Sequence, residues 1–229
     1  MESKRSVTTH LTNVIAYALI GAIAFIVMKF EFPIMPGVGF LKFDFSDVII
    51  TIGMFVFGPL PGIVIALIRM ILALLLGGFA FPSVVGQLAA FVASIAFALP
   101  FYYTAKGVEA KQPRTVKRYL IPVLGLLAGI LAMIVILAIT NAFILTPVYA
   151  LTAITPTPTI SSYGELLALT EHTYLQGMLH LPSMASYIFS IIVPFNLIKG
   201  AINAVAFYLL FEAVLKNIKP FVRKRFNLN

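Results

Sequence analysis

The run from 191 to 203, IIVPFNLIKGAIN, places two amides and a lysine within a strongly apolar segment. Asn196 and Lys199 are three residues apart, so they share one face of a helix, and Asn203 continues that face one turn further. Amide and ammonium groups can hold a polar molecule by hydrogen bonds. A simpler alternative is that Lys199 extends along the helix to the membrane surface. The spacing of all three polar residues favours a binding site.

Further polar residues are predicted at the same depth, near the extracellular ends of other helices. Asn141 lies in LAITNAFILTPVY and Gln87 in PSVVGQLAAF, while Lys42 and Asp44 belong to the connector GFLKFDFSD. A membrane amide such as Asn141 serves equally well as a hydrogen bond between helices. A largely apolar cavity with a few amides and one lysine suits a flat, mostly uncharged heterocycle that bears hydroxyls or carbonyls.

Catalytic and metal chemistry have no support in the sequence. There is no phosphate-binding loop, no nucleophile elbow, no HExxH pattern and no cysteine. The histidines lack metal-ligand spacing. We therefore predict no catalytic residue, no metal and no cofactor. An intramembrane enzyme with Lys199 and Asp44 as acid and base would lack the Arg and His cluster that handles phosphate, and the isolated Arg69 is assigned to structure or to a partner contact.

Composition defines the elements that must position these residues. The 229 residues are 61% hydrophobic and 10% charged, against about 25% charged in soluble domains. Several apolar runs reach the ~20 residues that cross a bilayer as a helix. We predict an all-α integral membrane protein with six transmembrane helices in a single domain, 1–229. The helices are predicted at about 11–28, 47–57, 62–76, 83–105, 119–145 and 186–216, with an outer loop at 146–185.

The distribution of basic residues predicts the orientation. They concentrate at the two termini and in the connector 106–118, whereas the segment 146–184 contains neither Lys nor Arg. Cytoplasmic flanks of membrane helices carry the excess of Lys and Arg. Six crossings with both termini in the cytoplasm satisfy this rule.

Small residues crowd the first helix. The stretch ALIGA, from Ala18 to Ala22, has two small residues four positions apart, which allows another helix to approach closely. This pattern fits ordinary packing within the chain or a docking face for another subunit.

Four stretches together resemble the riboflavin-binding S components of energy-coupling factor (ECF) vitamin transporters. The resemblance covers nearly the whole chain in order, and its most specific part is VPFNLIKG. The stretches are FLKFDFSDV at 40–48, GPLPGIVIALIRMIL at 58–72, NAFILTPVY at 141–149 and VPFNLIKG at 193–200.

The resemblance implies a high-affinity vitamin-binding subunit in a bacterial cell membrane. Such a subunit takes riboflavin as transported ligand from outside and delivers it through a transmembrane coupling subunit and two ATPase subunits; it has no enzymatic activity and binds no nucleic acid. Ala18 and Ala22 would dock on the coupling subunit. The predicted ligand-binding residues, of which 40–44 would close over the ligand, are Phe40, Leu41, Lys42, Asp44, Gln87, Asn141, Tyr149, Asn196 and Lys199.

Other vitamins and another mechanism remain alternatives. Folate, pantothenate, cobalamin or a pyridoxine-like vitamin could be the ligand, although folate and pantothenate bear carboxylates and would favour more cations than Lys42 and Lys199. A stand-alone secondary carrier would need coupling residues in mid-membrane. The outer segment 150–185 is longer than the family pattern, and we expect an extra surface helix or a lid there. VVGQLAAF also has alanines where the family is expected to be more polar.

Overall fold

The computed structural model describes residues 2–34, 41–109, 113, 115–155 and 158–226, and these are mostly helical. Two strands of two residues, β1 (Phe32–Pro33) and β2 (Lys42–Phe43), pair antiparallel in the first connector. The elements are α1 (Glu2–Met28), β1 (Phe32–Pro33), β2 (Lys42–Phe43), α2 (Ser46–Phe57), α3 (Pro59–Gly77), α4 (Phe81–Ala105), α5 (Val116–Ala153), α6 (Tyr163–Leu169, continued as a π-helix over Thr170–Met178) and α7 (Met184–Phe226).

Within these described ranges, five helices are long and apolar enough to cross a membrane: the apolar part of α1, then α3, α4, α5 and α7. The sixth predicted span, α2, has 12 residues, which at about 1.5 Å each is shorter than a ~30 Å hydrocarbon core. It forms a hairpin with α3 through Gly58, whose φ of 104° is in the left-handed region that favours glycine. The fold is thus an all-α membrane protein in which one predicted crossing is a short, largely buried helix.

Two helices extend beyond the predicted ends. α5 continues to Ala153, past the expected end at 145, and α7 runs from Met184 to Phe226. In both, a π-helical segment lies just before a proline, Pro147 or Pro194. Proline ends many helices because it lacks an N–H and clashes with the preceding turn. The wider π turn accommodates it, so each helix continues.

Close packing holds α4 against α5. A Cβ added at Gly129 of α5 would collide with the backbone carbonyl oxygen of Phe97 in α4. One turn further along α4, aromatic rings of α4 and α7 meet edge to face, with the ring centroids of Phe101 and Phe207 4.6 Å apart. These contacts fix α4 against α5 and α7, and all three helices contribute to the cavity wall described below.

The long outer segment contains the short helix α6, in the region where an extra surface helix or lid is expected. Ser162 caps it by accepting a hydrogen bond from the Glu165 backbone N–H. Tyr163 donates to the Phe143 carbonyl oxygen of α5 at 2.6 Å. Tyr174 and Leu175 pack in a buried cluster with Tyr187 of α7. Burial raises the pKa of the Tyr174 hydroxyl.

Candidate ligand-binding cavity

A cavity opens between α4, α5 and α7 beneath the first connector, at their predicted extracellular ends. Its volume is about 160 Å³, smaller than the ~300–1,000 Å³ of typical small-molecule pockets. Alanines and one glycine of α4 form one wall, so a flat ligand would meet little side-chain bulk there. The lining residues are Leu41, Lys42, Gly86, Ala89, Ala90, Ala93, Leu137, Asn141, Leu145, Tyr149, Phe195, Asn196 and Lys199.

Two buried amides of the lining belong to α5 and α7. The Asn141 amide nitrogen donates to the Leu137 carbonyl oxygen at 2.9 Å, and that of Asn196 donates to the Ile192 carbonyl oxygen at 2.8 Å. The Asn196 Oδ1 atom is buried, and among the described residues it has no hydrogen-bond partner. Because buried polar atoms are nearly always paired, this unpaired acceptor is a candidate for a hydrogen bond donated by a ligand.

The first connector supplies the rim of the cavity. Lys42 forms an ion pair with Glu31 at 2.7 Å, and both side chains are exposed. Leu41 lines the cavity and also packs against the buried cluster that includes Tyr174. Leu41 therefore links the rim of the cavity to the outer segment. The positive charge of the rim lysine, Lys42, is already neutralised by Glu31.

The second lysine of the cavity, Lys199, is also paired with carboxylates. Its ammonium nitrogen lies 3.3 Å from Asp47 Oδ2 and 3.8 Å from Asp44 Oδ2, and 12% of the side chain is exposed. Asp44 also accepts a hydrogen bond from the Ser46 backbone N–H at the start of α2. Lys199 thus faces the cavity, and the alternative in which it reaches the membrane surface does not describe this arrangement.

A buried polar network continues behind Lys199. Asp47 accepts hydrogen bonds from the Ser94 hydroxyl of α4 at 2.6 Å and from the Asn203 amide of α7 at 3.3 Å. Arg69 of α3 donates to Ser94 at 3.1 Å and to Gln87 Oε1 at 3.2 Å. Side chains of four helices therefore meet in one network behind the cavity.

The structure brings together most of the predicted ligand-binding residues. Asp44 and Gln87 are not among the lining residues: Asp44 pairs with Lys199, and Gln87 accepts a hydrogen bond from Arg69. Phe40 lies outside the described residues. The residues that line the cavity are Leu41, Lys42, Asn141, Tyr149, Asn196 and Lys199. Their contact with a ligand stays a prediction.

The predicted docking residues are separate from the cavity. Ala18 is exposed and Ala22 half-buried on α1, while Gly21 between them packs against Ile68 and Ile65 of α3. One side of α1 therefore packs within the chain and the other is open to lipid or to a partner.

Sequence reasoning missed the role of Asp47. An acidic residue in the first turn of a helix is common and is explained by the helix dipole, so Asp47 gave no separate signal. Arg69 did give a signal in the sequence, since a charge inside a membrane helix requires a partner. Its partners were not predictable, because they lie on other helices: Gln87 and Ser94 on α4 and Met28 on α1. Within the described part of the chain, no group of three or more His, Asp or Glu side chains could hold a metal ion.

Comparison with known proteins gives the family. The riboflavin transporter FmnP of Bacillus subtilis is 28% identical over 214 residues, which cover 93% of this chain and 95% of that protein. The riboflavin transporter RibU of Streptococcus thermophilus is 30% identical, with 90% of this chain and 84% of that protein covered.

A solved structure is also similar. It was described under "Structure and mechanism of the S component of a bacterial ECF transporter", and it aligns with a TM-score of 0.61 and 28% identity over 92% of this chain and 99% of that one. The family described as "ECF transporter, substrate-specific component" matches residues 12–211. Because this match covers most of the sequence, the chain belongs to the substrate-specific components of ECF transporters.

Proposed function

We propose that this chain is the riboflavin-binding subunit of an ECF-type importer in a bacterial cell membrane. The observation that carries the proposal is the cavity between α4, α5 and α7, lined by apolar residues, two amides and two lysines. Two similar proteins are named riboflavin transporters. The chain would take the vitamin from the extracellular side.

The chemistry of the cavity suits riboflavin. An isoalloxazine ring is flat and largely apolar, and the wall of Ala89, Ala90 and Ala93 could lie against one face of such a ring. The ring edge offers an N–H donor and carbonyl acceptors, and the ribityl chain offers hydroxyls. The free acceptor of Asn196 and the ammonium group of Lys199 could bond such groups.

Charge argues against folate and pantothenate as ligands. Both carry carboxylates, which bind most strongly to an unpaired cation. Among the described lining residues the cations are Lys42 and Lys199, and each is paired with an acidic side chain. A neutral vitamin needs no free cation.

Delivery of the vitamin would require other subunits. A coupling subunit in the membrane and two ATPase subunits would bind this chain and supply the energy, so ATP hydrolysis belongs to the partners. Family membership supports this assignment. The open side of α1, with Ala18 and Ala22, is the proposed contact with the coupling subunit.

Titration of riboflavin fluorescence with the detergent-purified chain tests the proposal. We expect quenching that saturates at one riboflavin per chain. Ala90→Phe fills the cavity and should abolish quenching, whereas Ala201→Phe, at an exposed position of α7, should leave it intact. No quenching by the unmodified chain would contradict the proposal, and equal quenching by Ala90→Phe would place the ligand elsewhere.

A further inference from the structure

Two basic and two acidic side chains meet at the back of the cavity. Lys199 lies between the cavity and Asp47, with Asp44 as a second, more distant carboxylate. Arg69 reaches Asp47 through the Ser94 hydroxyl. Arg69 and Asp47 are each 2% exposed. The formal charges of the two basic and two acidic groups cancel.

Asp47 is held more firmly than Lys199. Its Oδ1 accepts a hydrogen bond from Ser94 of α4, and its Oδ2 accepts one from Asn203 of α7. A lysine side chain has four rotatable bonds and a compact charge that pairs readily in several positions. The fixed carboxylate therefore limits where the Lys199 ammonium group can lie, and this group is the one that faces the cavity.

We propose that Asp47 is the counter-ion that positions Lys199, and that the balanced charge of Arg69, Lys199, Asp44 and Asp47 makes the cavity select riboflavin over its phosphate ester. The inference rests on the proposed function. It assigns Asp47 and Arg69 a role in specificity although neither is among the lining residues of the described chain.

The physical basis is the weak screening of charge inside a membrane protein. At an effective dielectric constant of about 20, charges still interact appreciably across ~10 Å. A surplus positive charge in the network would attract the phosphate of flavin mononucleotide, and a surplus negative charge would repel it. Riboflavin is uncharged, so its affinity depends mainly on contacts and much less on the net charge.

Matched charge changes of opposite sign provide the test. We define the selectivity ratio as the Kd for flavin mononucleotide divided by the Kd for riboflavin, both measured by fluorescence quenching at low salt. Asp47→Asn leaves a surplus positive charge and should lower the ratio by about tenfold, whereas Arg69→Gln leaves a surplus negative charge and should raise it by about tenfold. Structural damage alone would not move the ratio in opposite directions.

Glu212→Gln is the matched control. Glu212 also pairs with a buried arginine, Arg118, at 3.0 Å. It lies further along α7 from Lys199 by roughly 20 Å, at about 1.5 Å per residue. The selectivity ratio of this variant should equal that of the unmodified chain.

A second arm avoids dependence on Arg69→Gln, whose buried position could prevent folding. The double variant Lys199→Met/Asp47→Asn removes one charge of each sign, so its selectivity ratio should return to within about threefold of the unmodified value.

An unchanged ratio in Asp47→Asn would overturn the inference, as would a double variant whose ratio stays at that of Asp47→Asn. If the unmodified chain fails to bind riboflavin, the proposed function is wrong; if it binds normally and the ratios do not move, only this inference is wrong.

Discussion

At the scale of single residues, the cavity places a lysine where an unpaired charge would be costly. Taking a charged group out of water costs several kcal/mol unless partners compensate. Lys199 has such partners in Asp47 and Asp44, so it can face an apolar cavity without a ligand. A ligand would then add hydrogen bonds to an ammonium group that is already stabilised.

Replacement of Lys199 by Ala should weaken riboflavin binding by roughly 1.5–3 kcal/mol, the contribution of a hydrogen bond to a charged group. It should also lower the thermal unfolding midpoint, because Asp47 loses its nearest cation. Fluorescence titration and thermal unfolding in detergent would measure the two effects. Lys216→Ala, which breaks an exposed pair with Glu212, should change neither appreciably. Unaltered riboflavin affinity in Lys199→Ala would mean that this lysine makes no contact with the ligand.

At the scale of helices, sequence predicts where each lies better than what it contacts. The length of the apolar runs identifies the helices, and the spacing of Asn196 and Lys199 correctly predicts a shared face. The end of α5 near Pro147 was misjudged because a π turn carries the helix past that proline, and α7 runs beyond the predicted end at 216. The pairing of Lys199 with Asp47 joins α7 to α2, and spacing within one helix contains no information about such a contact.

The contact between α4 and α5 gives a prediction about stability. Gly129→Ala would bring a methyl group against the Phe97 carbonyl oxygen, so the helices must separate. We expect a loss of roughly 1–3 kcal/mol in the free energy of unfolding, as for other overpacked sites. Thermal unfolding in detergent would report it. Gly77→Ala is the control, since a Cβ there would have no atom within 4 Å; equal unfolding midpoints for both variants would show that the close approach contributes little.

At the scale of the whole molecule, the cavity and the proposed docking face lie on different helices. The cavity is formed by α4, α5 and α7, whereas Ala18 and Ala22 lie on α1, which packs through Gly21 on α3. A subunit that captures a vitamin and then joins an energising complex needs both surfaces. Their separation allows each to be changed alone.

Ala18→Trp should therefore spare riboflavin binding and block riboflavin uptake, because a large side chain would hold the coupling subunit away from α1. Binding is measured with the purified chain, and uptake in cells that also produce the coupling and ATPase subunits. Ala128→Trp, at an exposed position of α5, should leave both riboflavin binding and riboflavin uptake unchanged. Loss of binding and uptake together in Ala18→Trp would contradict the docking assignment.

The central claim is that the cavity holds a flavin, and the absorption spectrum of the purified chain tests it most directly. After incubation with riboflavin and removal of free ligand by gel filtration, the account predicts flavin absorption bands in the protein fraction at one equivalent per chain. A folded, monodisperse chain that retains no flavin would contradict the account.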